Sequence, residues 1–149
     1  MAMDHIKAWI GQHSELVDFV GPVTSEQILL AEEELAISFP DTYRLFVEEY
    51  GCGNVGPIEI FGLGIKPIGV PNVIWVTNTL RSDSGLPHHL LPIENLGDGA
   101  YACLTTEQSV AKGYQSSIVL EWSHGTETQK ISENLNIYLL ERFRVATSL

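Results

Sequence analysis

The sequence predicts an α+β fold: a mostly antiparallel sheet with N-terminal and C-terminal helices packed on one face. Three observations carry this expectation. Helical apolar spacing fills most of the first 50 residues, β-type runs separated by turn residues occupy most of 58–132, and a helical pattern returns after Ser132. Helices first, strands next and a closing helix is the order of an α+β fold, not of an alternating parallel one. With no internal repeat, low-complexity tract or linker, the 149 residues read as one domain, 1–149. A composition 44% apolar and 18% charged can fill a core and excludes a disordered chain.

The first helix is expected over Asp4–Val20, with Ile6, Trp9, Ile10, Leu16, Val17 and Val20 at roughly helical spacing, Gly11 weakening its middle and Gly21-Pro22 ending it. A second opens at "TSEQ", where Thr24 and Gln27 have the spacing of a capping box. Its apolar face is Ile28, Ala31 and Leu35, widened by Leu29 and Leu30, while Glu33 and Glu34 point away. Glu32 falls at the edge of that face. A carboxylate there needs hydrogen bonds, for which backbone N–H groups or tyrosine hydroxyls near the next helix are expected.

"FPDTYRLFVEEYGCGN", residues 39–54, reads as the third helix. Ser38 is the expected cap, and Pro40 suits the first turn, where its missing N–H has no intrahelical partner. Tyr43, Phe46, Val47 and Tyr50 form one stripe, Arg44 is placed to pair with Glu48, and Gly51 stops the helix, with Gly53 extending the turn. "PIEIFGLG" then alternates as a strand. "VPNVIWVTNTLRSDSGLP" fits a helix capped near Asn72, with Val73, Trp75, Val76 and Leu80 on its face, or a strand rich in β-branched residues. Strands over 91–96 and 100–105 flank Gly97-Asp98-Gly99, a hairpin signal. "SSIVLEW" and "TETQKIS" supply two more, Trp122 alternating with Leu120 and Ile118 toward the core. Ser132 is the expected cap of the last helix, with Leu135, Tyr138, Leu139 and Phe143 inside and Arg142 and Arg144 near its C-terminal end.

Charge and composition exclude several function classes. The formal net charge is −11, and residues 1–50 hold ten acids against Lys7 and Arg44, a net of −8. A field of that sign repels nucleic acid and anionic lipid and speeds encounter with basic partners. No apolar run of about 18 residues suggests a membrane span, and the N-terminal stretch lacks the pattern of a signal peptide, so a cytoplasmic protein is expected. Cys52 and Cys103 are expected to be reduced and structural.

Candidate chemistry is sparse. His5 and His13 are eight residues apart, too far for a helical metal pair, and His88 and His89 are adjacent, so no metal site is expected. Cys52 lies at the C-terminal end of a helix, where the dipole disfavours a thiolate. Glu94, Asp98 and Glu121 lie on or between strands and with His124 could line one cleft; a hydrolase reading needs Asp98, Glu121 and His124 within hydrogen-bond reach there. "GLGIKPIG" lacks the Gly-Lys-Ser/Thr of a phosphate loop. No catalytic residue and no cofactor is therefore expected.

Ile28, Ala31-Glu32, Leu35, Phe39-Pro40-Asp41-x-Tyr43, Phe46-Val47 and Tyr50-Gly51-Cys52-Gly53 resemble the N-terminal signature of the SUKH superfamily. That group comprises bacterial immunity proteins of polymorphic toxin systems and takes in a fungal cell-wall assembly regulator. The strand, Gly-Asp-Gly turn and aromatic-x-Cys-Leu strand of "LPIENLGDGAYACLTT", the Glu-Trp of "SSIVLEW" and "ISENLNIYLLERF" resemble the family's later segments in order, so the likeness runs from about residue 24 to 143. The chain departs from the pattern at Ala36, where glycine is usual, at Ala100, where an acid is common, and at Leu135 and Leu139, where an aromatic is typical. Glu32, Pro40, Tyr43, Gly51, Gly53 and Trp122 are the motif positions, with structural roles expected for Glu32 and Trp122.

The resemblance implies a non-catalytic domain that binds a cognate protein toxin, often a nuclease, and blocks it inside the cell. A nuclease cleft is basic, so an acidic inhibitor can occupy it by charge and shape. Glu48, Glu49, Asp83 and Asp98 are the candidate toxin contacts, chosen for expected exposure near motif turns. The alternative is a regulatory or scaffold domain that binds cellular proteins, as the eukaryotic relatives do.

Overall fold

The computed structural model describes residues 2–126 and 128–148. Its elements are α1 (Ala2–Gln12), a 3-10 turn (Ser14–Leu16), β1 (Val17–Phe19), α2 (Ser25–Leu35), α3 (Asp41–Tyr50), β2 (Gly53–Val55) and β3 (Ile58–Ile60). They continue with α4 (Val73–Ser84), β4 (Leu90–Gly97), β5 (Ala100–Thr105), α5 (Glu107–Val110), β6 (Val119–Trp122), β7 (Gln129–Ser132) and α6 (Leu135–Ala146). The expected α+β class is found, with helices at both ends of the chain. The single expected sheet is instead two antiparallel sheets, ordered β1-β2-β3 and β4-β5-β6-β7.

The sheets meet at β4. Just after β3, the Phe61 N–H donates to the Ile93 carbonyl at 2.9 Å. That carbonyl is free because β4 bulges there: Pro92 pairs with Cys103 and Glu94 with Ala102, leaving Ile93 without an opposite residue. The bulge breaks strict alternation, so Leu90, Leu91, Pro92, Ile93 and Glu94 are all buried. Tyr43 of α3 donates its hydroxyl to the Phe61 carbonyl at 2.7 Å. One residue thus joins α3 to the second sheet through its two backbone groups.

The helix expected over 4–20 ends at Gln12, and Val17–Phe19 form β1 against β2. Gly11 weakens helix propagation, and the pairing of Val17 with Val55 and Phe19 with Gly53 supplies hydrogen bonds that an extended helix could not. Phe19 then packs edge-on to Phe46, 5.6 Å between ring centres. Gly53 fits because a Cβ there would lie 2.1 Å from the Asp18 carbonyl oxygen, and Gly51, at φ +73, has Gly21 and Leu63 carbonyls where its Cβ would be. The motif glycines are thus sites of close backbone approach as well as a helix stop.

Thr24 forms the expected capping box, accepting from the Gln27 N–H at 3.1 Å while Gln27 accepts from the Thr24 N–H at 2.9 Å. Ile28, Ala31 and Leu35 are buried, but Leu29 and Leu30 are 57% and 65% exposed and do not widen the core face. The ambiguous segment is helix α4. Buried Asn72 accepts from the Ile74 and Trp75 N–H groups, which commits 73–84 to a helix despite its β-branched residues. Trp75 remains 38% exposed, off the expected face.

Two expected caps fail. α3 begins after Pro40, whose preset backbone starts it without a side-chain cap from Ser38. α6 is capped by Asn134, whose Oδ1 accepts from the Ile137 N–H at 2.9 Å, and the Ser132 hydroxyl donates to the Asn134 carbonyl instead. The strand expected over 126–132 narrows to β7, and Glu127 lies outside the described residues. Trp9 of α1 meets Phe143 of α6 at 5.4 Å between ring centres, closing the core where the two terminal helices touch.

Ala36 ends α2 at φ 56, ψ 39, in the left-handed region. An L side chain there costs about 1–2 kcal/mol, offset partly by the entropy a glycine adds to the unfolded chain. Ala36→Gly is therefore expected to raise stability by about 0.5–1 kcal/mol in urea unfolding, and a loss of stability would show that the alanine methyl makes a needed contact.

Candidate functional site

Two carboxylates are desolvated, and each holds elements together. Glu32, on the edge of α2, keeps only 11% of its side chain exposed. Its Oε2 accepts from the Phe39 N–H at 2.7 Å and from Arg44 Nη2 at 2.7 Å. The expected backbone donor is present, but the second donor is Arg44 rather than a tyrosine. Arg44 therefore does not pair with Glu48: it bonds Glu32 and, at 3.1 Å, Asp41. Helical side chains lean toward the N-terminus, which carries Arg44 back to α2 instead of forward along α3. The turn between α2 and α3, where Ala36 and Ile37 N–H groups also reach α2 carbonyls, is pinned by this one side chain.

Glu94 is more deeply placed, its side chain 3% exposed. It accepts from the Tyr138 hydroxyl at 2.6 Å, and the Arg142 Nε and Nη2 bond its two oxygens at 3.0 and 2.7 Å. Tyr138 and Arg142 stand one helical turn apart on α6, so the forked guanidinium and the phenol close on one carboxylate. The hydrogen bonds that Arg142 donates to Glu94 hold its charge more firmly, raising its pKa, while burial and then Glu94 push the Tyr138 hydroxyl up. Arg142, expected only to suit the helix dipole, is instead the cation of this clamp.

The residues of the hydrolase reading are held apart in their bonding. Glu94 is taken up as described, Glu121 is exposed on β6, Asp98 sits at the tip of the β4–β5 hairpin at φ 52, and His124 Nδ1 lies 2.7 Å from the Ser84 carbonyl. His88 is exposed, and His89 is stacked on Tyr114 with Nδ1 2.7 Å from the Ser109 hydroxyl. Burial first, then Lys112 and His88, lower the His89 pKa. His5 is exposed and His13 stacks on Trp9. Among the described residues no group of three His, Cys, Asp or Glu side chains could hold a metal ion, and no helix is long and apolar enough to cross a membrane.

Both cysteines are buried and free. Burial, and then Glu59, push the Cys52 thiol up to about 11, and burial pushes Cys103 up further. Buried Trp122 faces Tyr101 across the strands, ring centres 6.4 Å apart, and its edge lines an open cleft of about 440 Å³ with Pro87, Tyr114, Thr126 and Thr128.

The four candidate contact acids lie on three different parts of the fold: Glu48 and Glu49 on α3, Asp83 on α4 and Asp98 in the β4–β5 turn. Glu48 is half-buried, with its carbonyl accepting from the Val23 N–H, and Glu49 sits 3.7 Å from Lys7. Asp83 is exposed near the end of α4, just before β4, and Asp98 is exposed just past the other end of that strand. A surface the sequence reading missed lies on α2. Its solvent side carries Glu26, Leu29, Leu30, Glu33 and Glu34, all exposed, and an open groove of about 340 Å³ runs from Leu29 and Glu33 past Ala36–Ser38 to Gln108.

Residues 3–144 match a family model described as SMI1-KNR4 cell-wall, the fifth of the SUKH group. The chain belongs to the SUKH superfamily. A crystal structure of a protein from Pseudomonas syringae pv. tomato is similar in fold, with a TM-score of 0.67 at 21% identity, covering 91% of this chain and 96% of that one. The SUKH signature residues map onto the internal framework: Glu32 on its clamp, Tyr43 on Phe61, Gly51 and Gly53 on neighbouring backbone, Trp122 inside.

Arg142→Ala strips the cation from a buried carboxylate and is expected to cost about 2–4 kcal/mol in urea unfolding, more than the paired change Glu94→Leu with Arg142→Leu. A loss below about 0.5 kcal/mol would show that α6 is held without the clamp. A second expectation concerns alkaline pH. Cys52, Cys103, Tyr43 and Tyr138 all keep their protons to higher pH when folded. The unfolded chain releases protons first, so rising pH favours unfolding, and the stabilisation is complete only below the ordinary thiol value of 9.0. The urea midpoint should hold steady near pH 7–8 and fall between about pH 9 and 11, and Cys52→Ala should soften the first part of that fall.

Proposed function

We propose that this SUKH protein is a non-catalytic immunity protein that binds a cognate protein toxin, a nuclease domain, and blocks it in the cytoplasm of the producing cell. The distribution of carboxylates carries the reading. The two desolvated ones, Glu32 and Glu94, are each answered by an arginine and serve the fold, while the remaining negative charge is concentrated on exposed side chains of the N-terminal third. Such a surface is built to meet a basic protein, not a nucleic acid, a membrane or a cofactor. An enzyme's acid or base would need a free, poised group, whereas Glu94 is saturated with donors and His124 is tied to the end of α4. The block is steric and electrostatic: the acidic inhibitor occupies the field that would otherwise hold the toxin's anionic substrate.

The second reading, a regulatory or scaffold domain for cellular proteins, is favoured by the cell-wall description of the matching family. The two separate on one experiment. Co-expression with a toxin domain found encoded beside this gene should restore growth, and the purified pair should associate about tenfold more slowly or worse between about 0.05 and 0.5 M salt. Undiminished toxicity with the chain in excess would reject the immunity reading and leave the scaffold one.

A further inference from the structure

We infer that the outer face of α2 is the docking surface for the basic partner, an inference that rests on the proposed function and names its contact site. Glu26 and Leu30, Leu29 and Glu33, and Leu30 and Glu34 are i,i+4 pairs, so the five residues share one helix face opposite buried Ile28, Ala31 and Leu35. Leu29 and Leu30 are among the largest exposed apolar side chains, 57% and 65% open to solvent, side by side in the middle of an 11-residue helix. Three carboxylates frame them with no lysine or arginine on the face. Apolar surface of this kind marks a contact site when it is rimmed by polar groups, and the rim here has a single sign.

Charge complementarity selects the occupant. A second copy of the chain docked face to face would set three glutamates against three, which like-charge repulsion opposes. A partner protein presenting an apolar ridge flanked by lysine or arginine satisfies both halves of the face. The groove from Leu29 and Glu33 to Gln108, about 340 Å³, has room for one long basic side chain at the C-terminal end of the helix. Glu32 at that groove is already neutralised by Arg44, so Glu33 is the carboxylate left to receive it. The alternative acidic site on α3 is weaker on the same grounds, because Glu49 already faces Lys7.

A synthetic amphipathic peptide with leucine at helical spacing and lysine elsewhere tests the surface directly, with its glutamate counterpart as control. In the full-length protein, amide shift changes from the lysine peptide should centre on residues 25–38 and Gln108 and be absent with the control. Leu29→Ser with Leu30→Ser, both solvent-facing and expected to lower the thermal midpoint by only a few degrees through helix propensity, should weaken binding about tenfold. The triple change of Glu26, Glu33 and Glu34 to Gln should do the same and flatten the salt dependence. Shift changes centred on Glu48, Glu49, Asp83 or Asp98, or variants that bind like the native chain, would overturn the inference, as would a dimer in sedimentation that the leucine changes dissolve. Growth rescue separates it from the function it rests on. Rescue by the native chain and equally by the leucine variant overturns the docking face alone. Failure of the native chain to rescue overturns the immunity reading alone, while the peptide map still decides the face.

Discussion

The buried carboxylate of Glu94 is the constraint around which the second sheet and the last helix are arranged. It lies on β4 immediately after a bulge, and β4 is where the two sheets, α4 and α6 all converge. An ionised carboxylate in that position is tenable only with strong donors, and α6 delivers a phenol and a guanidinium one turn apart. The docking of α6 is therefore fixed in rotation and height, not only attracted by apolar burial. Because α6 also packs against α1 through Trp9 and Phe143, the N-terminal helix inherits its position from the same clamp.

The opposite half is tied in by backbone groups. Phe61 accepts from Tyr43 and donates to Ile93, so a hydroxyl on α3 and a bulge on β4 share one residue as intermediary. Next to it, the glycines of the Tyr-Gly-Cys-Gly stretch let β2, the end of α3 and the segment after β3 approach within distances that a methyl group would forbid. Glu32 then pins the α2–α3 turn. The shared signature of the family is thus a set of joints. Glu32, Tyr43, Gly51, Gly53 and Trp122 work inside the fold, which leaves most of the exterior free of that structural duty.

Local signals made most of the helices and the central hairpin legible. The Thr24–Gln27 box, the Tyr43–Tyr50 stripe, the Gly-Asp-Gly turn and the Leu135–Phe143 face each state their structure within a few residues. What was hidden depended on distant partners. β1 and β2 are three residues long, and their pairing joins positions some thirty-five residues apart, so no local pattern declares them. Arg44 had a plausible partner one turn ahead and took one on another helix, because a desolvated carboxylate gains more from a cation than an exposed one does. Adjacent Leu29 and Leu30 suggest core in the sequence, whereas only one side of α2 meets the rest of the protein. The candidate docking face follows from which arc of α2 is buried, and no local pattern states that arc.

The same separation bears on how such a protein can work. Charges that stabilise the fold are paired, shielded and few, so changes in the surface field leave them untouched. Glu26, Glu33 and Glu34 on α2 are exposed, so each contributes little to stability and can be exchanged at little cost. Surface acids act over about a Debye length, which accelerates encounter without requiring a fixed geometry. The two leucines act only at contact, and their burial would slow release. A face that combines the two divides recognition into a long-range step set by glutamates and a short-range step set by apolar fit. Specificity for one basic partner among several would then reside in the leucine positions and the groove beside Gln108, since the sign of the charge alone cannot tell one basic surface from another.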